Sequence, residues 1–476
     1  MTAAGPPVAT GSRAPARSAG PVADVASGEP TIRGRRRRNA ELLLLVFALG
    51  ISLLAYVTVG LNRGEQVDLR HAYPLGGLAV LVLLAHVVLR VRLPYADPVL
   101  LPAAALLNGL GLVLIHVIDV FQAATAATRG RPAPVAVAST QLIWTALGLV
   151  LFAAVALSVR DHRALQRITY LSGLAAIVLL LLPLVPGLGT TINGARIWVS
   201  LAGLSFQPGE VAKIALALFF AGYLAVKRDA LAVAGRRVVG VDLPRLRDLG
   251  PIVAAWLVSL AVLVLERDLG ASLLLFGLFV VMLYVATERP GWVVLGAGLF
   301  AGGAVFAYSS FGYVRDRVSI WLDPFADPSN AGYQIVQSLY GLANGGLVGA
   351  GLGRGEPTLV PLANSDFIVV TLGESLGLTG LMAILVLYGI VIERGMRIAL
   401  TSRDPFGKLL ALGLSFTVAL QVFVVVGGVT RLIPLTGLTT PFMSAGGSSL
   451  IANWVVVGLL VVISDRTRRP PPEVAV

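Results

Sequence analysis

The chain has 476 residues, 56% hydrophobic and only 13% charged, with a mean hydropathy of +0.84. Soluble domains carry about 25% charged residues, so this composition excludes an ordinary soluble domain and points to a polytopic membrane protein. Absent cysteine and only four histidines exclude disulfides and thiolate sites and argue against a histidine metal centre, and the net charge of +12 sits largely in loops and tails rather than in a nucleic-acid-binding patch.

Residues 1–38 are rich in Ala, Pro, Gly and Ser and end in Arg33 and the run Arg35 to Arg38. No apolar core precedes that run, so it is not a cleavable signal peptide. A disordered cytoplasmic tail is expected, its basic end fixing topology and touching anionic lipid head groups. Apolar runs of spanning length then fall near 41–61, 72–90, 97–119, 138–158, 168–187, 207–226, 250–266, 269–286, 291–309, 367–392, 406–429 and 446–464. The expected fold is therefore all-α and polytopic, with about 12 transmembrane helices. With both termini cytoplasmic, 26 Lys and Arg fall on the inner side against ten on the outer. That asymmetry is the positive-inside pattern. It turns the long polar loop at 310–366 outward and leaves 466–476 as a short cytoplasmic tail. No internal repeat is evident.

Loops longer than about 12–15 residues are usually functional or disordered. The 310–366 loop carries aspartates, amides and glycines and ends in Ser365-Asp366-Phe367, where an apolar run begins. Asp366 is thus a candidate catalytic base at the membrane surface; the bland alternative is a helix N-cap. Glu210 and Lys213 stand three apart at the outer end of the sixth run. They are either a structural ion pair or a pair lining a polar cavity. Glu266-Arg267-Asp268-Leu269-Gly270 makes a short outer turn, a solvated cap or part of a site. Arg196, Arg267, Arg315 and Arg317 share the outer side, and arginines there can clamp a diphosphate through bidentate hydrogen bonds. The glycine-rich stretch from Gly345 to Gly355 lacks the Gly-Lys-Ser/Thr ending of a nucleotide loop, so tight turns and close backbone approach are expected. Asp323 and Asp327 read as Asp-Pro turn chemistry rather than metal ligands. His86 and His116 are expected to pack or to bond between helices, whereas Asp119 and Arg129 match no motif.

Several of these stretches resemble one family in order. They are Gly194-Ala195-Arg196-Ile197-Trp198; Phe206-Gln207-Pro208-Gly209-Glu210-Val211-Ala212-Lys213; Asp268-Leu269-Gly270; Gly332-Tyr333-Gln334 with Gln337-Ser338; and Ser365-Asp366-Phe367-Ile368. The last are Ile433-Pro434-Leu435-Thr436-Gly437, Pro441-Phe442-Met443-Ser444 and Gly446-Gly447-Ser448. They are similar to the motifs of the SEDS family (RodA, FtsW, SpoVE), integral membrane peptidoglycan glycosyltransferases. The match covers roughly 138–465, with 39–137 left as extra N-terminal helices and linker. Departures are Gly209 for Ser, the inserted Ile197, Ser375 for a second Glu after Glu374, and Ala445 for Tyr.

The resemblance implies a ten-helix core preceded by two extra helices, in the plasma membrane with an extracytoplasmic site. It implies polymerisation of lipid II, an undecaprenyl-diphosphate-linked disaccharide pentapeptide, with inversion at the anomeric carbon. Elongation of the RodA kind is favoured over FtsW-like division. Asp366 would be the general base. Arg196, Arg315 and Arg317, with Arg267, would face the leaving diphosphate, and Glu210 and Lys213 would shape the cavity. Asp268, Gln334, Gln337 and Ser338 complete the expected substrate-binding set. No metal ligands are assigned, although a divalent cation, Mg or Mn, is left open as a Lewis acid. The expected partners are a class B penicillin-binding protein and membrane lipids, not nucleic acid. A lipid II flippase and a non-catalytic scaffold for a transpeptidase stand as rivals.

Overall fold

The computed structural model describes residues 37–64, 72–192, 195–201, 204–232 and 264–470, with short pieces at 236–238 and 241–243 and the isolated positions 2, 257 and 261. The tail before residue 37, most of the seventh apolar run and the last six residues lie outside the described residues. Eleven described helices are long and apolar enough to cross a membrane. They follow the expected runs closely. The first four are α1 (Arg38–Asn62), α2 (Tyr73–Arg92), α3 (Leu100–Thr128) and α4 (Val137–Ser158). A 3-10 turn, His162–Ile168, leads into α5 (Thr169–Leu181), and α6 spans Pro208–Ala232. Then come α7 (Leu269–Thr287), α8 (Gly291–Ser310), the shorter α9 (Gly312–Leu322) and α10 (Tyr333–Gly345), and finally α11 (Ile368–Thr401), α12 (Pro405–Val429) and α13 (Gly447–Arg468).

Among the described residues, the one departure of consequence from an all-helical architecture is a three-stranded antiparallel sheet, order β1-β2-β3, built from β1 (Gly189–Ile192), β2 (Ala195–Leu201) and β3 (Leu204–Phe206). Thr190 faces Trp198 and Val199 faces Phe206. The β-branched and aromatic residues of these strands favour pairing over helix. Among the described residues the other sheet is the antiparallel pair Arg236–Val238 and Val241–Leu243.

Close approach at small residues organises the centre. Gly148 of α4 lies against the Trp454 ring of α13, where a Cβ would stand 2.6 Å from Cδ1. Trp454 meets Phe152 and Phe442 edge-on at 5.9 and 5.4 Å. In a bundle without a hydrophobic drive between helices, such small-to-large packing supplies the association energy.

Two ends of the bundle are distinguished by their loops. One gathers the sheet, α9, α10 and the segments 346–367 and 430–446. The other is tied by charge: His162 bonds Asp404 at 2.8 Å, Arg466 pairs with Asp161 at 3.4 Å, and Tyr95 N–H donates to Asp465 at 2.8 Å. Asp97 there is fully buried and pairs with Arg468. α1 starts at this charged end, where Glu41 takes Arg38 at 2.5 Å and His86 at 2.6 Å, and Arg38 also donates to the Ala96 carbonyl. His86 thus makes the expected interhelical bond, and the His116 ring packs at 5.2 Å, tilted, against Tyr56.

α11 is not one continuous helix. Gly377 has φ 68° and ψ −172°, which breaks the ladder. The N–H groups of Leu378 and Thr379, which would otherwise bond one turn back, donate to Gly346 O and Leu347 O at 2.9 and 3.1 Å. The freed carbonyls of Glu374 and Ser375 accept from Ala350 and Gly351 at 2.9 and 3.0 Å. The glycine-rich stretch is thereby spliced into the helix. Gly349 and Gly377 both have positive φ, and a Cβ on Gly377 would lie within 2.5 Å of the Leu347 carbonyl. Only glycine fits there.

Candidate active site

Asp366 lies in the turn that delivers the chain into α11. Leu362 adopts φ 54°, and its carbonyl accepts the N–H groups of Ser365 at 3.0 Å and Phe367 at 3.2 Å. The turn is fixed from a second element: Ser444 Oγ donates to Ser365 O at 2.6 Å and Ala445 N–H donates to Asn364 O at 2.7 Å. Ala445, where the resembled family has Tyr, acts through its main chain. Helix α11 is capped by Phe367 with no side-chain bond. The N-cap alternative for Asp366 is therefore not what the structure contains, and the carboxylate is left for other work.

That carboxylate sits under the 433–439 segment. A Cβ on Gly437 (φ +78°) would stand 3.7 Å from Asp366 Oδ2. Arg317 of α9 reaches the same segment and donates from Nη1 to Leu435 O at 2.8 Å. Asp268 caps α7, accepting Ala271 N–H at 2.9 Å, and is buried. Gly270 follows it so closely under Leu438 and Thr436 that a Cβ would meet them at 2.7 and 3.0 Å. Burial pushes the Asp366 carboxyl up to about 7; the Asp268 charge pushes the same way, while the Ser365 hydrogen bond and the Arg317 charge oppose it. Asp268 is likewise raised, mainly by burial, against its own N–H bond and Arg317. A carboxylate poised near neutrality is suited to taking a proton at physiological pH.

Beside this group lies the expected Glu210–Lys213 pair, buried at 5% and 4% exposure and 2.5 Å apart. Pro208 opens α6, and the spacing of three places both side chains on one face. Lys213 Nζ also donates to Gln421 Oε1 at 2.8 Å, and Gln421 Nε2 donates to Thr439 O at 2.8 Å. A narrow polar cleft runs between α6 and α7, lined by Gln207, Glu210, Lys213, Glu266, Asp268 and Leu438. A second, roomier cleft is lined by Arg317, Trp321, Gln334, Arg431, Ile433 and Leu435. The first carries three carboxylates and one ammonium; the second carries two guanidinium groups. Asp268 lines the first and Arg317 the second, and the charges of both act on Asp366, which itself lines neither cleft.

Not every expected residue joins them. Arg315 is exposed and bonds Ser309 O at 3.3 Å, because it points off the opposite face of α9 from Arg317. Arg196 lies on β2 and donates to Val185 O at 3.3 Å, bracing the sheet. Arg267, at φ 62°, places its guanidinium 5.9 Å over the Tyr313 ring. Ser338 is fully buried and donates to Val429 O at 2.8 Å, so it fastens α10 to α12 rather than facing a cleft. Gln337 is half-buried, one turn on from Gln334. Asp327 accepts Ala331 N–H at 3.3 Å and Asn330 Nδ2 at 3.1 Å, as turn chemistry requires. Asp119 caps α4 through Ala138 N–H at 2.9 Å. Among the described residues, no three His, Asp or Glu side chains are grouped as metal ligands. Two side chains of the site went unnoticed in the sequence. Gln421 had a signal, being an amide within an apolar span; Arg431 had none beyond its charge.

The family profile described as "Cell cycle protein", covering FtsW, RodA and SpoVE, matches residues 98–469. That segment includes α3, leaving α1 and α2 ahead of it. A Mycobacterium tuberculosis protein named peptidoglycan glycosyltransferase RodA is 53% identical over 439 residues, 91% of this chain and 92% of that one. Its Mycobacterium leprae counterpart is 47% identical, covering 94% of each. Among solved structures, Thermus thermophilus rod shape determining protein RodA aligns with TM-score 0.54 and 27% identity over 79% of this chain and 98% of its own. A chain from a structure described as coordinating polymerization and crosslinking in a peptidoglycan synthase complex aligns with TM-score 0.57 and 28% identity, over 76% and 98%. With a profile spanning most of its length, relatives of this similarity and a bundle of matching form, this multi-pass membrane protein belongs to the FtsW/RodA/SpoVE family.

Proposed function

We propose that the protein is a peptidoglycan glycosyltransferase of the RodA type that polymerises lipid II during cell-wall elongation. The observation that carries the reading is Asp366, a buried carboxyl held near neutrality under the Gly437 turn, within reach of the charges of Asp268 and Arg317. In the reaction, the 4-hydroxyl oxygen of an acceptor GlcNAc forms a bond to the anomeric carbon of a donor MurNAc. The bond from that carbon to the lipid diphosphate breaks, and the configuration inverts. The hydroxyl proton goes to Asp366, and the bonding pair leaves with the diphosphate. Arg317, aided by Arg431 across the second cleft, meets the charge that develops there, which is where fixed cationic groups lower a barrier most. The polar cleft with Glu210, Lys213 and Asp268 suits neutral sugar hydroxyls better than an anion. Arg196, Arg267 and Arg315 act farther out, in shaping the surface. The site faces outward with both termini cytoplasmic, 1–38 and 466–476 are tails, and the 310–366 segment is the extracytoplasmic loop. The transpeptidase partner is a class B penicillin-binding protein.

The test is purified protein with its transpeptidase partner and labelled lipid II, wild type beside Asp366→Asn. Glycan ladders from wild type only are expected. Ladders of equal strength from both would remove the base role; transfer of lipid II across a bilayer without polymer would favour a flippase; neither activity would leave a scaffold.

A further inference from the structure

The glycine-rich segment is held on two sides. On one it is spliced into α11 by the four main-chain bonds at Gly377, and Glu374 adds to them by accepting Asn344 Nδ2 at 2.9 Å and Glu356 N–H at 3.0 Å. Glu374 lies eight residues beyond Asp366 on the same half of the broken helix. On the other side stands the C-terminal end of α1, a helix outside the matched segment. Asn62 Nδ2 donates to Leu352 O at 2.9 Å. Gly353, at φ +81°, lies so close to α1 that a Cβ would meet Val59 Cγ1 at 3.2 Å and Arg63 Cγ at 3.5 Å. Arg63 in turn sits 4.9 Å over the Phe121 ring of α3. The opposite end of α1 is pinned by the buried Arg38–Glu41–His86 cluster and by Arg38 on Ala96 O. A helix fixed at both ends, with a directed bond onto a loop that is part of α11, constrains where the outer half of α11 lies.

We propose that α1 is a strut for the site, and that Asn62 is a positioning residue acting through the 346–356 segment and Glu374 on the turn that carries Asp366. The proposal rests on the polymerase reading. Holding reacting groups in place contributes several orders of magnitude to enzyme rates, and displacements of about 1 Å cost up to about 100-fold. A strut lost at one of several contacts should therefore show as a smaller loss in kcat, with substrate binding kept.

The experiment uses the full chain with its transpeptidase partner and labelled lipid II. Asn62→Ala and Asn62→Asp both remove the donor, Asn62→Gln keeps it, and Asn62 is half-buried at a helix end, where replacement leaves the span intact. The expected result is a kcat reduced about tenfold with KM for lipid II within about twofold, the wild-type rate largely restored in Asn62→Gln, and faster amide exchange confined to 346–356. Combined with Glu374→Ala, which removes the acceptor of both loop bonds, Asn62→Ala should add nothing further, since both act through one loop. Unchanged kcat and unchanged exchange in Asn62→Ala would overturn the proposal, as would effects that multiply in the double variant. A general fall in melting temperature with exchange raised throughout would also overturn it, by showing a merely structural helix. A wild type that exchanges as expected but makes no glycan would instead sink the polymerase reading and, with it, the role of the strut in catalysis.

Discussion

If Asp366 takes the proton, the pH dependence of polymerisation is set by its surroundings. An aspartate at its ordinary pKa, near 3.9, is almost wholly ionised at pH 6. With the carboxyl raised to about 7 by burial and by Asp268, only about a tenth is ionised at that pH. The active form is the carboxylate, so kcat/KM should rise about tenfold per unit up to neutrality and level off above it. Two substitutions move the midpoint in opposite directions. Arg317→Gln removes a charge that holds the carboxyl down, so the midpoint rises; the plateau also falls, because the leaving group loses its cation. Asp268→Asn removes a charge that holds it up, so the midpoint falls, while asparagine still caps α7. Asp366→Asn should lose roughly 10²–10⁴-fold in rate, equivalent to about 3–5 kcal/mol in the barrier. Initial rates on labelled lipid II between pH 5 and pH 9 provide the assay. A wild-type midpoint near 4, or one indifferent to both neighbouring substitutions, would refute the reasoning.

Lys213→Met leaves Glu210 buried and unpaired, which should cost about 3–5 kcal/mol; Glu210→Gln with Lys213→Met should recover most of it. Thermal unfolding in detergent checks this, and a double variant as unstable as the single one would refute the pairing as the source. Because the chain has no cysteine, a single cysteine reports orientation. An impermeant maleimide should label Asn330→Cys on intact cells and Arg403→Cys only after permeabilisation; the reverse pattern would invert the topology.

The spans were legible because apolar runs of 20 residues have few alternatives. Their ends were less so: α3 continues to Thr128 and α11 to Thr401, past the last apolar stretch, where polar residues keep helical geometry. The sheet at 189–206 was missed because its strands are three to seven residues long and show little alternation. Within the candidate site, ordered motifs carried Asp366, Glu210, Lys213 and Asp268, since charge near an apolar boundary is conspicuous, while Arg317 stood out only as one of four outer-side arginines. What sequence could not reveal was which arginine turns inward. Arg315 and Arg317 differ by two positions on α9, enough to place one in solvent and the other on Leu435. Main-chain contacts were equally invisible. Ala445 and Ser375 depart from the family's residues, yet each contributes a backbone group, Ala445 N–H to Asn364 and Ser375 O to Gly351, which most residues can supply.

The splice at Gly377 bears on how the protein assembles. A bare carbonyl or N–H in hydrocarbon costs several kcal/mol, and the break in α11 creates two of each. Their partners come from residues 346–351, 24 to 32 positions earlier in the chain. The N-terminal half of α11 therefore cannot mature as an autonomous inserted helix. It is completed only when the preceding segment closes onto it. Biogenesis of the turn that carries Asp366 thus becomes a late, non-local event, and a defect in the glycine-rich segment should surface first as protein that inserts all its spans yet is degraded or inactive.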